Sequence, residues 1–273
     1  MCYAYREFKN ASWVEELYED HVRGIWKCFD ERWEFKGLIV KASRLLGISE
    51  SEVEGYIKLA AILHDIGKLR RKEQEDCRSA GCVSFRHHYA LSARVVHSLA
   101  RSLDLDIDLN RFTEDISKND KVGDKVAYFA LVFVPVLLHH YAQITFVDDL
   151  REAINYASDQ IDMYEDCVSV CEKLLKDLKD ELESKGVTNT KAIMRIVEEA
   201  LKTVKNSKFK LRGIIDSDKL IELLQSPEEK SEVLRVKFIA EAVLGLLNMC
   251  DGVVAKKHRG KRTLIELEAN YLA

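Results

Sequence analysis

His64 and Asp65 stand side by side in the run His64-Asp65-Ile66-Gly67-Lys68. An imidazole and a carboxylate are both ligands for first-row divalent metals such as Mn, Fe, Co, Ni or Zn. Adjacent residues on a helix point about 100° apart, so the two flank one ion only near a helix end. Asp65 has two carboxylate oxygens and can bridge to a second ion. Two such ions about 3.5–4 Å apart can hold a phosphate, acidify a water between them and neutralise the leaving oxygen. Lys68, one turn further on, can place its ammonium on a non-bridging phosphate oxygen. The chemistry implied is phosphoester hydrolysis by a metal-bridged hydroxide.

A His-Asp pair alone is a weak signal, and the ordered set around it carries the weight. His21 precedes it, and His88, the doublet His139-His140 and Asp251 follow. Each lies on or beside an apolar stripe, as a metal cage in a helical core requires. His87 is the lesser alternative to His88, because neighbouring helical side chains diverge. His97 lies half a turn off the His88 face and reads as structural, and His258 as solvated or phosphate-facing.

The elements that must carry these side chains read as helices. Ser12 caps a first helix with Trp13, Leu17, His21 and Ile25 on one stripe. A second runs from Phe35 to Leu46 and stops at Gly47. Ser51 caps a third that ends near Gly67. A polar, basic loop spans 69–84, and a fourth helix spans 85–102. The alternating stretch 103–109 is irregular or an edge segment. Apolar residues 124–141 form a helix that Pro135 can kink. Leu150, Ile154, Ala157, Ile161, Tyr164, Val168, Cys171, Leu175, Leu178 and Leu182 follow steps of four and three, a heptad seam. That seam predicts one long helix, or two end to end, on a partner helix of the same chain, closed by Gly186. Thr190 caps the next helix, to Val204, and 206–213 is a basic linker. Ser226-Pro227-Glu228-Glu229 opens a last helix that reaches about Asp251; 263–268 is a short strand or tail.

Composition agrees. Only 2 Pro and 12 Gly occur in 273 residues, 47% are hydrophobic and 32% are charged. Long helices are favoured, and collagen-like, disordered and turn-dense β classes are excluded. The longest nearly pure apolar run, 126–138, is short of the roughly 20 residues a membrane span needs. No leader is visible, so the expectation is a cytoplasmic protein with no membrane association. Seven cysteines without a C-x-x-C pair argue against a cysteine zinc site; Cys77 and Cys82 share a loop and could pair, with two reduced thiols the favoured expectation. Net charge is −4, yet two basic strips stand out. One is Arg70-Arg71-Lys72. The other follows Asp251 and contains Lys256, Lys257, Arg259, Lys261 and Arg262. Both can border a nucleic-acid groove.

The motif His64-Asp65-Ile66-Gly67-Lys68, within this histidine order, resembles that of the HD-domain metal-dependent phosphohydrolases. Phe85, His88, Ser92-Ala93, His139-His140 and Asp251 are similar to the pattern of one branch, the stand-alone HD nuclease of type I CRISPR systems. The resemblance spans 21–251. It implies an all-α HD-domain helical bundle, one domain over 1–273, with a long helical insertion at about 145–215 between the His doublet and the last ligand Asp. It implies two divalent metal ions, with Mg added to the candidates. His21, His64, Asp65 and Asp251 would hold one ion, and Asp65, His88, His139 and His140 the other. Lys68 would meet the substrate phosphate. The implied activity is cleavage of single-stranded DNA beside an RNA-guided surveillance complex. No G-x-x-x-x-G-K-[ST] motif is present, so the helicase would be a separate partner. Two alternatives remain: an HD phosphohydrolase acting on a nucleotide or cyclic nucleotide, and a non-catalytic helical scaffold.

Overall fold

The scarcity of Pro and Gly leaves little to interrupt helices, and the chain folds as an all-α protein. The computed structural model describes residues 1–82, 85, 87–106, 123–140, 160–213, 215–225 and 231–259.

An N-terminal hairpin comes first. β1 (Tyr3–Lys9) pairs antiparallel with β2 (Ser12–Leu17), Phe8 opposite Trp13 and Lys9 opposite Ser12. Asn10 and Ala11 both have positive φ, 48° and 62°, the two-residue turn that matches the twist of a tight hairpin. Ser12 therefore opens a strand rather than capping a helix. The four-residue spacing of Trp13, Leu17, His21 and Ile25 is consistent with either period over so short a run, and only its second half is helical. α1 is Tyr18–Asp30 and α2 is Trp33–Leu46, which ends with Gly47 left-handed as expected.

α3 (Glu50–Leu63) starts two residues earlier than the Ser51 reading. Ser49 Oγ accepts from the Glu52 N–H at 3.2 Å, and Glu52 Oε2 accepts from the Ser49 N–H at 3.0 Å, a reciprocal capping box. His64 is the last helical position, Asp65 leaves the helix, and Ile66–Leu69 form one 3₁₀ turn. Gly67 is not a helix stop. A Cβ there would lie 2.3 Å from the His88 carbonyl oxygen, so only glycine lets this turn press against the next helix. The Gly67 N–H donates to Ser92 Oγ at 2.9 Å and locks the contact.

The expected loop 69–84 contains α4 (Arg71–Ala80) instead. Its charges and few apolar side chains disguised a helix that buries only Gln74 and Cys77. α5 is His88–Ser102, and Phe85, expected inside it, precedes it. Of the stretch 103–109, residues 103–106 are turn and coil and the rest lies outside the described residues, as does Tyr141. α6 is a continuous rod over 124–138: α-helical Asp124–Tyr128, a π turn Phe129–Phe133, then Val134–Leu138. Pro135 lacks an N–H and crowds the carbonyl four residues back. The wider turn that contains Leu131 accommodates this without ending the rod.

The heptad seam is not one long helix. Leu150, Ile154 and Ala157 lie outside the described residues. Ile161 sits in β3 (Gln160–Asp162), and α7 begins only at Glu165, running to Ser184. β3 pairs with β4 (Lys208–Lys210), Ile161 opposite Phe209, inside what reads as a basic linker. From Val168 onward the seam holds. Cys171, Leu175, Leu178 and Leu182 are buried, and α7 packs on α1, α3 and α8 (Ala192–Lys205) of the same chain. Lys191, not Thr190, caps α8. Gly55 admits the approach of α7, since a Cβ would stand 2.6 Å from Leu182 Cδ2.

α9 is Ser217–Gln225 and α10 is Ser231–Arg259. The Ser226–Glu229 cap and the 263–268 segment lie outside the described residues. α10 continues eight residues beyond the expected end at Asp251. Val233–Arg259 is long and apolar enough to cross a membrane by length and composition. One side of it packs along α1, α2 and α6, while Leu234, Phe238 and Val253 are exposed. The seam with α1 is close, for a Cβ on Gly24 would meet Val254 Cγ2 at 2.9 Å.

Two disulfides link distant parts, Cys2–Cys167 and Cys28–Cys250, and a third, Cys77–Cys82, is local. Cys77 and Cys82 are thus paired, contrary to the reduced-thiol expectation, because α4 and the bridge between Arg6 and Cys82 bring them together beside Tyr3 and Phe85. Cys171 is a buried free thiol.

Gly67→Ala should lower unfolding free energy by about 1–3 kcal/mol, the usual range for overpacking. A denaturant midpoint equal to that of the parent protein would contradict the close approach.

Candidate metal centre

Three elements end, or begin, at one buried point. His64 closes α3, His88 opens α5, and His139 and His140 follow the last turn of α6. His21 lies one turn into α1, and Asp251 projects from the middle of α10. Asp65, 2% exposed, is at their centre.

Two ligand groups meet there. His21, His64 and Asp65 offer atoms within 4.8 Å of one another, and so do Asp65, His88, His139 and His140. In the first group His21 Nε2 is 3.4 Å from His64 Nε2, and both face Asp65 Oδ2, at 3.7 and 3.4 Å. Asp251 Oδ1 adds a fourth atom, 3.3 Å from His21 Nε2. In the second group Asp65 Oδ1 is 3.0 Å from His88 Nε2 and 3.5 Å from His139 Nε2. His140 Nε2 approaches His88 Nε2 at 2.9 Å. All seven side chains expected from the sequence as ligands converge, and Asp65 belongs to both groups.

The hydrogen-bond network assigns the tautomers. His64, His88 and His139 each donate Nδ1–H to a carbonyl three residues earlier: Ala61 at 2.9 Å, Phe85 at 2.6 Å and Val136 at 2.7 Å. His21 donates Nδ1–H to Glu16 Oε1 at 2.8 Å. The Nε2 of His64, His88 and His139 is therefore a bare lone pair turned inward.

Charge cannot relieve the crowding of these lone pairs by protonation. Burial holds the imidazoles of His64 and His88 down to about 4, and Lys68 adds to the effect on His88. Burial likewise depresses His140, helped by His139 and His88. Burial would raise the Asp65 carboxyl, but Lys68 and the surrounding imidazoles outweigh it and keep it ionised well below its usual range. His21 moves the other way, since its bond to Glu16 overcomes burial. Asp65 Oδ1 and His139 Nε2 are buried without a hydrogen-bond partner. A buried acceptor left unmade costs about 1–3 kcal/mol. Acceptors facing acceptors around an ionised carboxylate fit a cation, and these buried groups could hold a metal ion.

Lys68 is placed as expected beside the centre. Its Nζ is 2.5 Å from Asp65 Oδ2 and 5.6 Å from the centre of the Phe85 ring. The basic strips fare differently. Arg70 pairs with Glu73. Arg71 lies 3.4 Å from Asp162 and 3.5 Å from Glu165. Arg259 is withdrawn from any surface strip, since its Nε and Nη2 hold Glu16 Oε2 at 2.7 and 2.6 Å. Lys72, Lys256 and Lys257 are exposed, whereas Lys261 and Arg262 lie outside the described residues. His87 caps α5 with a left-handed backbone, outside both ligand groups. His97 stacks near Phe133 at 6.1 Å, away from the centre.

Glu16 is the residue that sequence reasoning missed. It is 1% exposed and touches His21 directly. Its only sequence signal is a position five residues before His21, which means nothing unless a strand-to-helix junction lies between them.

No protein-family model matches the chain, and no curated protein is similar to it at a significant level.

The metal-free protein should lose stability as the pH falls from about 6.5 to 4. The unfolded chain binds protons near pH 6.5, whereas folded His64 and His88 resist them until about 4. Stability present above the unfolded value is lost across that window, by up to about 1.4 kcal/mol per pH unit for each such histidine. His21, shifted upward, opposes this in part. Denaturant titrations in chelator between pH 7 and 4 check it, and a flat profile would contradict it.

Proposed function

We propose that this chain is an HD-type, two-metal nuclease that hydrolyses phosphodiester bonds of single-stranded DNA. The observation that carries the reading is the shared carboxylate: Asp65 offers Oδ2 to one imidazole group and Oδ1 to the other. A mononuclear structural site needs no such junction.

Two divalent ions, when bound, supply Lewis acidity to the phosphate and acidify a water between them. The chain's own groups do the rest. His21, His64, Asp65 and Asp251 form one cradle, and Asp65, His88, His139 and His140 the other. Asp251, whose side chain is 28% exposed, marks the open side. Lys68 neutralises Asp65 here; once metal ions held by the cradles balanced that carboxylate, its ammonium would be available to steady a phosphate oxygen. Lys72, Lys256 and Lys257 would track the strand. In CRISPR interference the strand would be displaced by an RNA-guided complex, and a separate helicase would feed it. We place this work in the cytoplasm. The three disulfides count against that placement, since such bonds are rare in reducing compartments.

A second reading is supported by the pairing of Arg70, Arg71 and Arg259 with carboxylates. Fewer cations then serve a long backbone, which favours a nucleotide or cyclic-nucleotide phosphohydrolase.

Purified protein with Mn²⁺ or Ni²⁺ should cut labelled single-stranded DNA, and Asp65→Ala should reduce the rate at least about 100-fold, in line with loss of a metal-bound nucleophile. Cutting that survives this substitution would falsify the assignment. Nucleotide turnover without scission would favour the second reading, and absence of metal uptake a scaffold.

A further inference from the structure

The four imidazoles whose Nδ1 partners are described are not held alike. His64 and His139 sit at the C-terminal ends of helices, where the last carbonyls have no helical partner and are free to accept Nδ1–H. His88 opens α5 and uses the Phe85 carbonyl from the preceding segment. His21 has no such option. It lies inside α1, where neighbouring carbonyls are engaged by the helix. A side-chain acceptor has to be brought to it from elsewhere.

That acceptor is Glu16, at the end of β2. Its two oxygens are divided: Oε1 takes the His21 Nδ1–H at 2.8 Å, and Oε2 takes Arg259 Nε at 2.7 Å. Arg259 is the last described residue of α10 and lies over the Tyr5 ring at 4.7 Å. A buried ion pair alone is a poor stabilising device, since desolvation offsets most of its attraction. Burying this pair behind a ligand is better explained by what the second oxygen does.

We propose that Glu16, anchored by Arg259, is a positioning residue for His21: it fixes the ring's rotation and tautomer so that Nε2 faces Asp65 and Asp251, and it makes that imidazole the more strongly donating ligand. The inference rests on the metal-centre reading above. It makes the two cradles unequal. The one built on His21 has a carboxylate behind an imidazole, and the His64, His88 and His139 imidazoles have only neutral carbonyls behind them. α10 then supplies both a ligand, Asp251, and the anchor of another, about 12 Å further along the helix at 1.5 Å per residue.

Calorimetric titration of the full-length protein with Co²⁺ tests this. The parent protein should bind two equivalents. Glu16→Gln should weaken one of them by about 10- to 100-fold, the usual effect of losing such a partner, and leave the other unchanged. Nitrogen-15 imidazole spectra give a readout that a merely structural role would not move. The His21 Nδ1–H signal should shift in Glu16→Gln, while those of His64, His88 and His139 stay in place. Arg259→Gln, which leaves Glu16 present, should weaken the same equivalent less and serves if Glu16→Gln does not fold. Two parent equivalents with both variants binding identically would overturn the positioning role alone. A parent protein that binds no Co²⁺ would overturn the metal centre, and this inference with it.

Discussion

An ionised carboxylate buried among imidazole lone pairs is the constraint that the rest of the molecule serves. Asp65 is almost fully covered, and the imidazoles of His64, His88 and His139 turn acceptors, not donors, toward it. Lys68 is the charge that balances it within the chain. Such a centre is unfavourable without a cation. It has to be imposed by packing elsewhere, and the tight seams do this. Gly67 lets its turn press on the His88 carbonyl, while Gly55 leaves room for the Leu182 side chain and Gly24 for that of Val254.

Helix ends are the positioning tool. A residue in the last turn has carbonyls within reach that the helix does not use, so one structural event ends the helix and orients an imidazole. Three of the histidines exploit an end of a helix. The two ligands that come from helix interiors, His21 and Asp251, face each other across the α1–α10 seam. Of the two, His21 draws on a group from outside its helix, Glu16.

The site was more legible in the sequence than the scaffold. His64-Asp65 adjacent, Lys68 a turn later and the doublet at 139–140 are local patterns whose chemistry is visible without coordinates. Ligand identities depend on residue type, and they converge as expected. Elements were harder to read where two periods coincide. Trp13 and Leu17 satisfy a helical stripe, but two left-handed residues at 10 and 11 decide for a hairpin. Ile161 continues a heptad rhythm yet lies in a strand, because three residues cannot separate a period of two from one of three and a half. α4 went unread because a helix that buries two side chains has no stripe to see. Glu16 and Arg259, 243 residues apart, could not be paired from sequence at all, since nothing in either local pattern refers to the other.

Cys28 and Cys250 close a loop of the chain spanning 222 positions. His64, Asp65, His88 and the 139–140 doublet all lie inside that loop, while His21 and Asp251 flank its knot on the two outgoing arms. A single cut of the backbone anywhere between the two cysteines would leave both fragments covalently joined beside the His/Asp cluster. Damage to the surface connections of this molecule therefore need not dismantle its centre.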